Sequence, residues 1–277
     1  MIFRNKLLKL LLIINLPLSA VFAQDTVSTQ VGRTASEAIQ FGEDLTFKVR
    51  YGFIKAGIAH MRVVDLVNMD EQPQIHIQTT AQSVPAFNWI FKVDDVVNVY
   101  VDPVKMTPYY FEKKLREGTY KADLRVHYGI SDSVARVEFV RYKEDMSIRK
   151  HKEYPVKIPA NVFDILSAFY FIRTQPLEVG KSVYLSSHEK KKIYDLEVKV
   201  HRKETIKVDA GKFRCLVVEP VLQGEGIFKQ KGRLLIWLTD DALKIPVQMT
   251  SKVTVGHITT ELTHIKRMEE KIPARLK

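Results

Sequence analysis

Apolar and polar side chains alternate through most of this 277-residue chain. Residues 45–51, 75–81, 120–128 and 194–200 each place small, apolar or aromatic residues at every second position, with polar or charged residues between them. Successive side chains of a β-strand point to opposite faces, so each segment predicts a strand with one buried and one solvated face. Such half-buried strands are typical of antiparallel sheets, and the sequence therefore predicts a mainly β protein.

Turn-forming residues separate these segments and indicate hairpins. They include Asp70-Glu71-Gln72-Pro73, Glu117-Gly118, Gly129–Asp132 and Asp209-Ala210-Gly211. Further strands are predicted near 58–67, 96–102, 108–116, 133–142, 182–187, 213–221, 233–238, 246–253 and 257–266. No repeat of fixed period occurs, and no regular helical segments separate the strands, which argues against a solenoid, a propeller and a parallel α/β sheet.

Two apolar segments depart from the alternation. Residues 161–174 predict one substantial helix, with Asn161 as its N-cap and Pro176 as the stop beyond its end. Its apolar residues leave little polar surface, so we expect it to be buried on most sides. Residues 84–91 are short and aromatic and predict a single helical turn or a loop insertion. The expected fold is a curved antiparallel sheet or half-barrel wrapped around one buried helix, in one continuous sheet or two lobes.

The N-terminus has the pattern of a secretory signal peptide. Arg4, Lys6 and Lys9 precede an apolar run over residues 10–18, and Val21-Phe22-Ala23 fits a cleavage site before Gln24. The apolar run is shorter than the roughly 20 residues that span a bilayer, and no later stretch is long and apolar enough to do so. No cysteine follows it, so the sequence does not predict a lipoprotein. We expect a cleaved leader and a periplasmic protein, with secretion and an uncleaved membrane anchor as the alternatives.

The chain divides by composition into four parts. We predict a signal peptide at 1–23, a flexible leader at 24–35, a single mainly antiparallel β domain at 36–268 and a polar C-terminal tail at 269–277. Loss of the signal peptide lowers the formal net charge from +11 to +8. An exported protein rarely meets nucleic acid, so we expect no nucleic-acid partner. Short basic runs are usual at solvated strand edges, and attraction to anionic head groups is the alternative.

Few residue patterns carry catalytic or metal chemistry. A single cysteine, Cys215, excludes an internal disulfide and the thiolate sets of zinc ribbons and iron–sulfur clusters, and its strand position predicts a buried, inert thiol. The eight histidines form no HExxH motif and no close ligand spacing, so no metal site is predicted unless distant strands assemble one. His76, His127 and His201 lie in the polar phase of their strands. No cofactor is predicted.

Two short patterns keep a serine hydrolase open as an alternative. Ser147–Lys150 and Ser187–Lys190 both fit SxxK, whereas the GxSxG nucleophile motif is absent. The SxxK pair acts when one helical turn brings the amine beside the hydroxyl, and both pairs lie in a predicted loop or at a strand end. The paired carboxylates Asp94-Asp95 and Asp240-Asp241 point to opposite faces of a strand or belong to turns, so neither predicts an acid–base pair.

Aromatic residues outside the alternation are the candidates for lining a ligand groove. They are Phe87, Trp89 and Phe91 in the short aromatic segment, and Phe169 in the predicted helix, where Ile172 is a further candidate. Core or lid packing is the ordinary role of such residues, and contact with an apolar ligand or a membrane is the alternative.

Several stretches together resemble a bacterial envelope family, domain of unknown function 3108. They are Gly42–Phe47, Tyr51–Ala59, the helix positions Asp164, Ser167 and Tyr170, Val208–Cys215, Trp237–Asp241 and Ile245–Val247. The resemblance covers about residues 40–266, and Phe171-Ile172 departs mildly from the expected pair before Arg173. It implies an exported, mostly antiparallel β protein, akin to the half-barrel of periplasmic lipoprotein carriers. It brings no assigned activity and no catalytic residues.

The leading functional hypothesis is a non-enzymatic periplasmic protein that binds a lipid or other apolar ligand in a groove of its curled sheet. The alternatives are an envelope interaction or scaffold protein with a filled core, and a hydrolase that uses Ser147 or Ser187. The sequence does not specify the ligand, the oligomeric state or the biological process.

Overall fold

A computed structural model describes residues 38–129, 131–223, 233–252, 256–268 and 271–276. The predicted signal peptide at 1–23 and the flexible leader at 24–35 lie outside the described residues. So does the glycine-containing stretch at 224–232.

Sixteen strands and two helices make up the described chain. The first eight strands are β1 (Asp44–Tyr51), β2 (Ile54–Met69), β3 (Gln72–Ser83), β4 (Asp94–Val101), β5 (Pro108–Glu117), β6 (Tyr120–Gly129), β7 (Val134–Tyr142) and β8 (Ile148–Lys157). The second set is β9 (Val162–Phe163), β10 (Ser182–Glu189), β11 (Lys192–Val208), β12 (Gly211–Leu222), β13 (Leu234–Thr239), β14 (Pro246–Lys252), β15 (His257–Lys266) and β16 (Arg275–Leu276). The helices are α1 (Pro85–Asn88), between β3 and β4, and α2 (Ile165–Thr174), between β9 and β10.

All sixteen strands belong to one sheet. Its order is β8-β7-β6-β5-β4-β3-β2-β1-β15-β14-β13-β12-β11-β10-β9, and β16 pairs with β12. The strands before and after α2 therefore join through the antiparallel pair β1 and β15, in which Phe47 lies opposite Leu262. Neighbouring strands are antiparallel except β9 and β10. The sheet is curved but unclosed, since β8 and β9 are its outer strands and do not pair within the described residues.

The predicted alternation is realised as two faces of this sheet. Leu45, Phe47, Ile77, Val99 and Leu262 are completely buried on the inner face. Inner-face residues of both strand sets form one continuous apolar core. The fold class predicted from alternation is confirmed at this level: a mainly β chain in one large, curved antiparallel sheet.

The start of α2 differs from the prediction. The helix begins at Ile165 and not at residue 161, and its N-cap is Asp164 and not Asn161. Asp164 Oδ1 accepts hydrogen bonds from the backbone N–H groups of Leu166 (2.8 Å) and Ser167 (3.1 Å), which satisfies two donors of the first turn. The residues before it, Val162–Phe163, pair with β10 and form β9. The helix ends before Pro176, as predicted.

Besides β9, two strands lie where the sequence predicted none. The charged stretch that contains Arg149–Lys152 belongs to the edge strand β8, whose residues are mostly exposed. An edge strand with solvent on both faces needs no apolar alternation, so its pattern carries no strand signal. The predicted polar C-terminal tail contains β16, and Ile272 and Ala274 beside it are buried.

The hairpin connections lie alternately at two ends of the sheet. The β1–β2, β3–β4, β5–β6 and β7–β8 connections share the end that carries α1, here called the α1 end. The antiparallel pairing of β1 with β15 places the β10–β11 connection, the end of β12 and the start of β13 at the same end. The β2–β3, β4–β5, β6–β7, β11–β12 and β13–β14 connections lie at the opposite end. No helix among the described residues is long and apolar enough to cross a membrane.

Candidate ligand-binding cavity

An apolar cavity of about 250 Å³ lies between α2 and the inner face of the sheet. The helix contributes Ile165, Leu166, Ala168, Phe169 and Ile172 to its wall. The sheet contributes residues of β3 and β4, which precede α2, and of β11–β15, which follow it; they include Thr79, Val97, Leu196, Val218, Ile236, Met249 and Thr260. Both strand sets therefore enclose the cavity.

A buried ion pair fixes the helix that forms one wall. Arg173, in the last turn of α2, donates hydrogen bonds to both carboxylate oxygens of Glu43, at 2.7 Å and 3.0 Å. Arg267, just beyond β15, donates to the same carboxylate, and all three side chains are buried. The guanidinium carbon of Arg173 also lies 5.1 Å from the ring centre of Tyr170. These contacts tie α2 to the segment before β1 and to the end of β15.

The five predicted ligand-lining residues are in three different places. Phe169 and Ile172 lie on the cavity wall. Phe87 and Phe91 are buried with Val93 in a small separate cluster beneath α1. Trp89 is 83% exposed and contributes to neither. Whether any of them contacts a ligand stays a prediction.

A smaller cavity of about 40 Å³ lies beneath α1. Phe87 and Phe91 form its outer side, and Glu117 is part of its wall. Ile258 lines both this space and the larger cavity, so the two are neighbours along the inner face. The short aromatic segment thus covers the α1 end of the sheet interior.

Three charged residues lie on the inner face near this end, here called the inner polar cluster: Asp95, Lys113 and Glu117. Asp95 and Glu117 are buried, and Lys113 is half-buried. Lys113 lies directly across from Val97, which lines the larger cavity. Asp95 Oδ1 accepts a hydrogen bond from the Arg116 backbone N–H at 2.7 Å, which holds this carboxylate against β5.

Burial changes the proton affinity of all three groups. It raises the pKa of Glu117 to about 8, with the neighbouring Asp95 adding to the increase. It raises the pKa of Asp95 to about 6, against the lowering effect of its bond from Arg116. It lowers the pKa of the Lys113 ammonium, which Glu189 of β10 partly offsets. Burial thus favours the protonated form of these two neighbouring carboxyl groups, so the cluster can offer both a hydrogen-bond donor and acceptors to a polar group.

This cluster was not predicted from the sequence, although its pattern carries a signal for it. Asp95 occupies the apolar phase of β4, with Val97, Val99 and Val101. Lys113 and Glu117 likewise share the phase of Phe111 in β5. Charged residues in the buried phase of neighbouring strands indicate a polar site inside the sheet.

The two SxxK patterns do not form serine–lysine pairs on a helix. Ser147 precedes the edge strand, and its Oγ donates to Asp145 Oδ1 at 2.7 Å. Ser187 is buried in β10, and Lys190 lies in the turn that follows. The helical turn that would bring the amine beside the hydroxyl is absent at both positions.

One group of possible metal ligands occurs among the described residues. It consists of Glu138 of β7 with His151 and Glu153 of β8. The Nε2 atom of His151 lies 3.2 Å from a carboxylate oxygen of each glutamate. All three residues are solvent-accessible, and Arg125 also contacts Glu138 at 2.8 Å. Cross-strand ion pairing on a wet sheet face accounts for this arrangement.

Other polar residues have structural partners. His76 stacks on Tyr100 with ring centres 4.5 Å apart, and His201 Nε2 lies 2.6 Å from Glu219. His127 packs against a tyrosine of β5. The β13–β14 turn is closed by a carboxylate, since Asp241 Oδ1 accepts hydrogen bonds from two backbone N–H groups that follow it.

Solved structures resemble this chain at low sequence identity. A beta-barrel-like protein of domain of unknown function DUF1849 from Brucella abortus superposes with a TM-score of 0.51 at 9% identity, over 84% of this chain and 100% of that chain. A putative exported protein with a YmcC-like fold from Bacteroides fragilis gives 0.35 at 12% identity, over 82% of this chain and 97% of that one. A putative lipoprotein from Parabacteroides distasonis gives 0.37 at 11% identity, over 86% and 100%.

The family comparison is more specific than the structural ones. No curated protein matches the sequence significantly. The model of the family described as "Protein of unknown function (DUF3108)" matches residues 46–263, which is most of the chain and nearly all of the sheet. This confirms the family resemblance seen in the sequence motifs, and the chain belongs to the DUF3108 family.

Proposed function

We propose that this protein is a non-enzymatic periplasmic binding protein that holds a lipid or another ligand with an apolar chain between α2 and the curved sheet. In this proposal the sheet wraps around α2, and the cavity is the space left for the ligand. The N-terminal signal-peptide pattern supports export.

The single observation that carries the proposal is the apolar cavity of about 250 Å³. Interiors of proteins are close-packed, and voids larger than a water molecule are few. A void this large lowers the stability of a protein whose core could have been filled by larger side chains. Its volume lies just below the roughly 300–1,000 Å³ of small-molecule pockets, which suits one acyl chain better than a bulky ligand.

The inner polar cluster favours a ligand that also has a polar group. Lys113 lies opposite Val97 on the cavity wall, so a chain in the cavity would have a polar neighbour at the α1 end. Ligand sites of this kind are mostly apolar, with a few polar groups that fix orientation. An amphiphile with a hydroxyl, carboxyl or phosphate group matches this combination.

Ligand binding can be tested with cis-parinaric acid, a fluorescent fatty acid, and by native mass spectrometry of protein purified from its own envelope. We expect saturable binding of the fatty acid, and a co-purified mass of lipid size. Ala168 on the helix and Thr260 on the sheet both face the cavity. Ala168→Phe and Thr260→Phe should each lower the affinity by about tenfold or more, because the added ring occupies the ligand volume.

Val104→Phe is the matched control, since Val104 is exposed at the opposite end of the sheet. This substitution adds a similar bulk outside the cavity, so the variant should bind cis-parinaric acid with the same affinity as the parent protein. Circular dichroism and thermal unfolding identify variants that do not fold. Equal affinity in all three folded variants, or a protein that binds no fatty acid and carries no lipid, would contradict the proposal and favour a scaffold protein.

A further inference from the structure

The α1 end of the sheet exposes large apolar side chains next to basic ones. Phe53, in the β1–β2 turn, is 93% exposed, and Trp89, at the end of α1, is 83% exposed. Ile54 and Ile90 beside them are also exposed. We call these four residues the end patch. Several large apolar side chains exposed together are typical of a surface that contacts a partner or a membrane.

The two connections that carry the end patch are neighbours in the fold. The backbone N–H of Val84, just before α1, donates to the carbonyl of Ala56 in β2 at 3.0 Å. Gly57 lies opposite Ser83 in the β2–β3 pairing, which sets the end of β3 level with the start of β2. The β1–β2 turn and the α1 segment therefore project from the same end of the sheet.

Charge is distributed unequally between the two ends. The described parts of the connections at the α1 end carry more basic than acidic residues; these are Lys92, Lys143, Lys190, Lys191 and Arg233, with Glu144 and Asp145. The described hairpin turns at the opposite end carry mainly acids; these are Asp70, Glu71, Asp102, Asp132, Asp209, Asp240 and Asp241, with Lys105 and Lys244. Basic residues of the adjoining strands pair with three of these acids: Lys48 with Asp209, Arg136 with Asp132 and Lys203 with Asp240. Lys55 directly follows Ile54 at the start of β2. The end patch thus lies beside turns in which basic residues outnumber acidic ones.

We infer that the α1 end docks on an anionic lipid membrane, with Phe53 and Trp89 in the interfacial layer and Lys55 and Lys92 facing lipid phosphates. Aromatic rings are favoured at this depth because it is partly apolar and partly wet. Each lysine near an anionic surface raises membrane binding about fivefold. The exposed apolar side chains and the excess of basic turn residues lie at the same end, and this orients the molecule on an anionic surface.

Docking does not depend on the proposed ligand cavity. The end patch lies outside the cavity wall, so a protein with a filled interior can still bind a membrane through it. Vesicle binding without fatty-acid binding would support the docking surface and contradict the proposed function. Fatty-acid binding without vesicle binding would support the proposed function and contradict the docking surface.

The test is co-sedimentation with vesicles of phosphatidylglycerol and phosphatidylcholine, compared with vesicles of phosphatidylcholine alone. The protein is expressed from the complete sequence, and mass spectrometry establishes its N-terminus. We expect binding to the anionic vesicles that weakens as salt increases. Phe53→Ser should reduce binding several-fold, and the pair Lys55→Glu with Lys92→Glu should reduce it by about 25-fold or more.

Val104→Ser and Lys105→Glu are matched controls, because these residues offer an exposed apolar and a basic side chain at the opposite end. Both controls should bind like the parent protein. The chain has two tryptophans, and Trp237 is buried in the core, so a blue shift of the emission on binding reports Trp89.

Three results would overturn the inference. They are the absence of binding to anionic vesicles, equal loss of binding in the control variants, and binding without any change in tryptophan emission.

Discussion

Arg173 and Glu43 form a doubly hydrogen-bonded ion pair between residues 130 positions apart in the chain. Both side chains are completely buried, and Arg267 shares the same carboxylate. The pair connects the last turn of α2 to the segment before β1. It holds the helix at the position where its other face lines the cavity.

Loss of the shared carboxylate should strongly destabilise the protein. Glu43→Ala leaves two buried guanidinium groups without their anion, and breaking a buried pair in this way costs about 3–5 kcal/mol of unfolding free energy. Denaturant unfolding measures the change. The control is Lys181→Ala, which breaks an exposed pair with Glu178 and should cost less than about 1 kcal/mol. Similar losses in the two variants would contradict a structural role for the buried pair.

Stability should fall as pH rises toward 8 because of Glu117. Burial raises the pKa of Glu117 to about 8, whereas the pKa of a glutamate in the unfolded chain is about 4.3. Between about pH 4.5 and 8 the native state therefore holds a proton that the unfolded chain has released, so the unfolding free energy decreases with pH. Asp95, with its pKa raised by burial to about 6, acts in the same direction over the lower part of this range.

Glu117→Gln should make this dependence shallower. One unit of pKa difference corresponds to about 1.4 kcal/mol. Between about pH 5 and pH 8 the unfolding free energy of the variant should therefore fall by at least about 1 kcal/mol less than that of the parent protein. Glu144→Gln changes an exposed glutamate at the same end and should follow the parent curve. Urea unfolding at both pH values measures this difference. An equal change in unfolding free energy for the parent protein and Glu117→Gln would contradict the role given to Glu117.

Cys215 should be unreactive in the folded protein. Its side chain is completely buried, and burial raises the pKa of the thiol to about 12, with a further contribution from Asp241. The thiolate is the reactive form, so Ellman's reagent should modify no cysteine at about pH 8 until urea unfolds the chain. Rapid labelling without denaturant would show that this strand opens. This measurement tests the inert thiol predicted from the sequence.

Gly118 should tolerate alanine less well than Gly52. Both glycines have a left-handed backbone, with φ of +55° and +57°. An added Cβ at Gly118 would lie 3.1 Å from the ring of Phe91, whereas none of the neighbouring atoms lies within 4 Å at Gly52. Gly52→Ala should cost about 1–2 kcal/mol from backbone conformation alone, and Gly118→Ala should cost more. Equal unfolding free energies would mean that Phe91 moves freely beneath α1.

The alternating sequence determined the sheet by itself. A strand with one buried face must place an apolar residue at every second position, and the strands predicted from this pattern are present. Edge strand β8 was missed because its residues are solvated on both faces and need no alternation. The start of α2 was placed too early because Asn161 and Asp164 are both good N-cap residues. Contacts of Val162–Phe163 with β10, distant in sequence, decide between them.

The site depended on tertiary structure to a much greater extent. Local sequence identifies Phe169 and Ile172 as apolar, but their place on a cavity wall results from how far α2 stands from the sheet. The inner polar cluster joins residues of β4 and β5 whose charges acquire altered pKa values only when burial removes water from them. Periodicity is a local property that each segment carries, whereas cavities, buried ion pairs and proton affinities arise from packing between segments far apart in the chain.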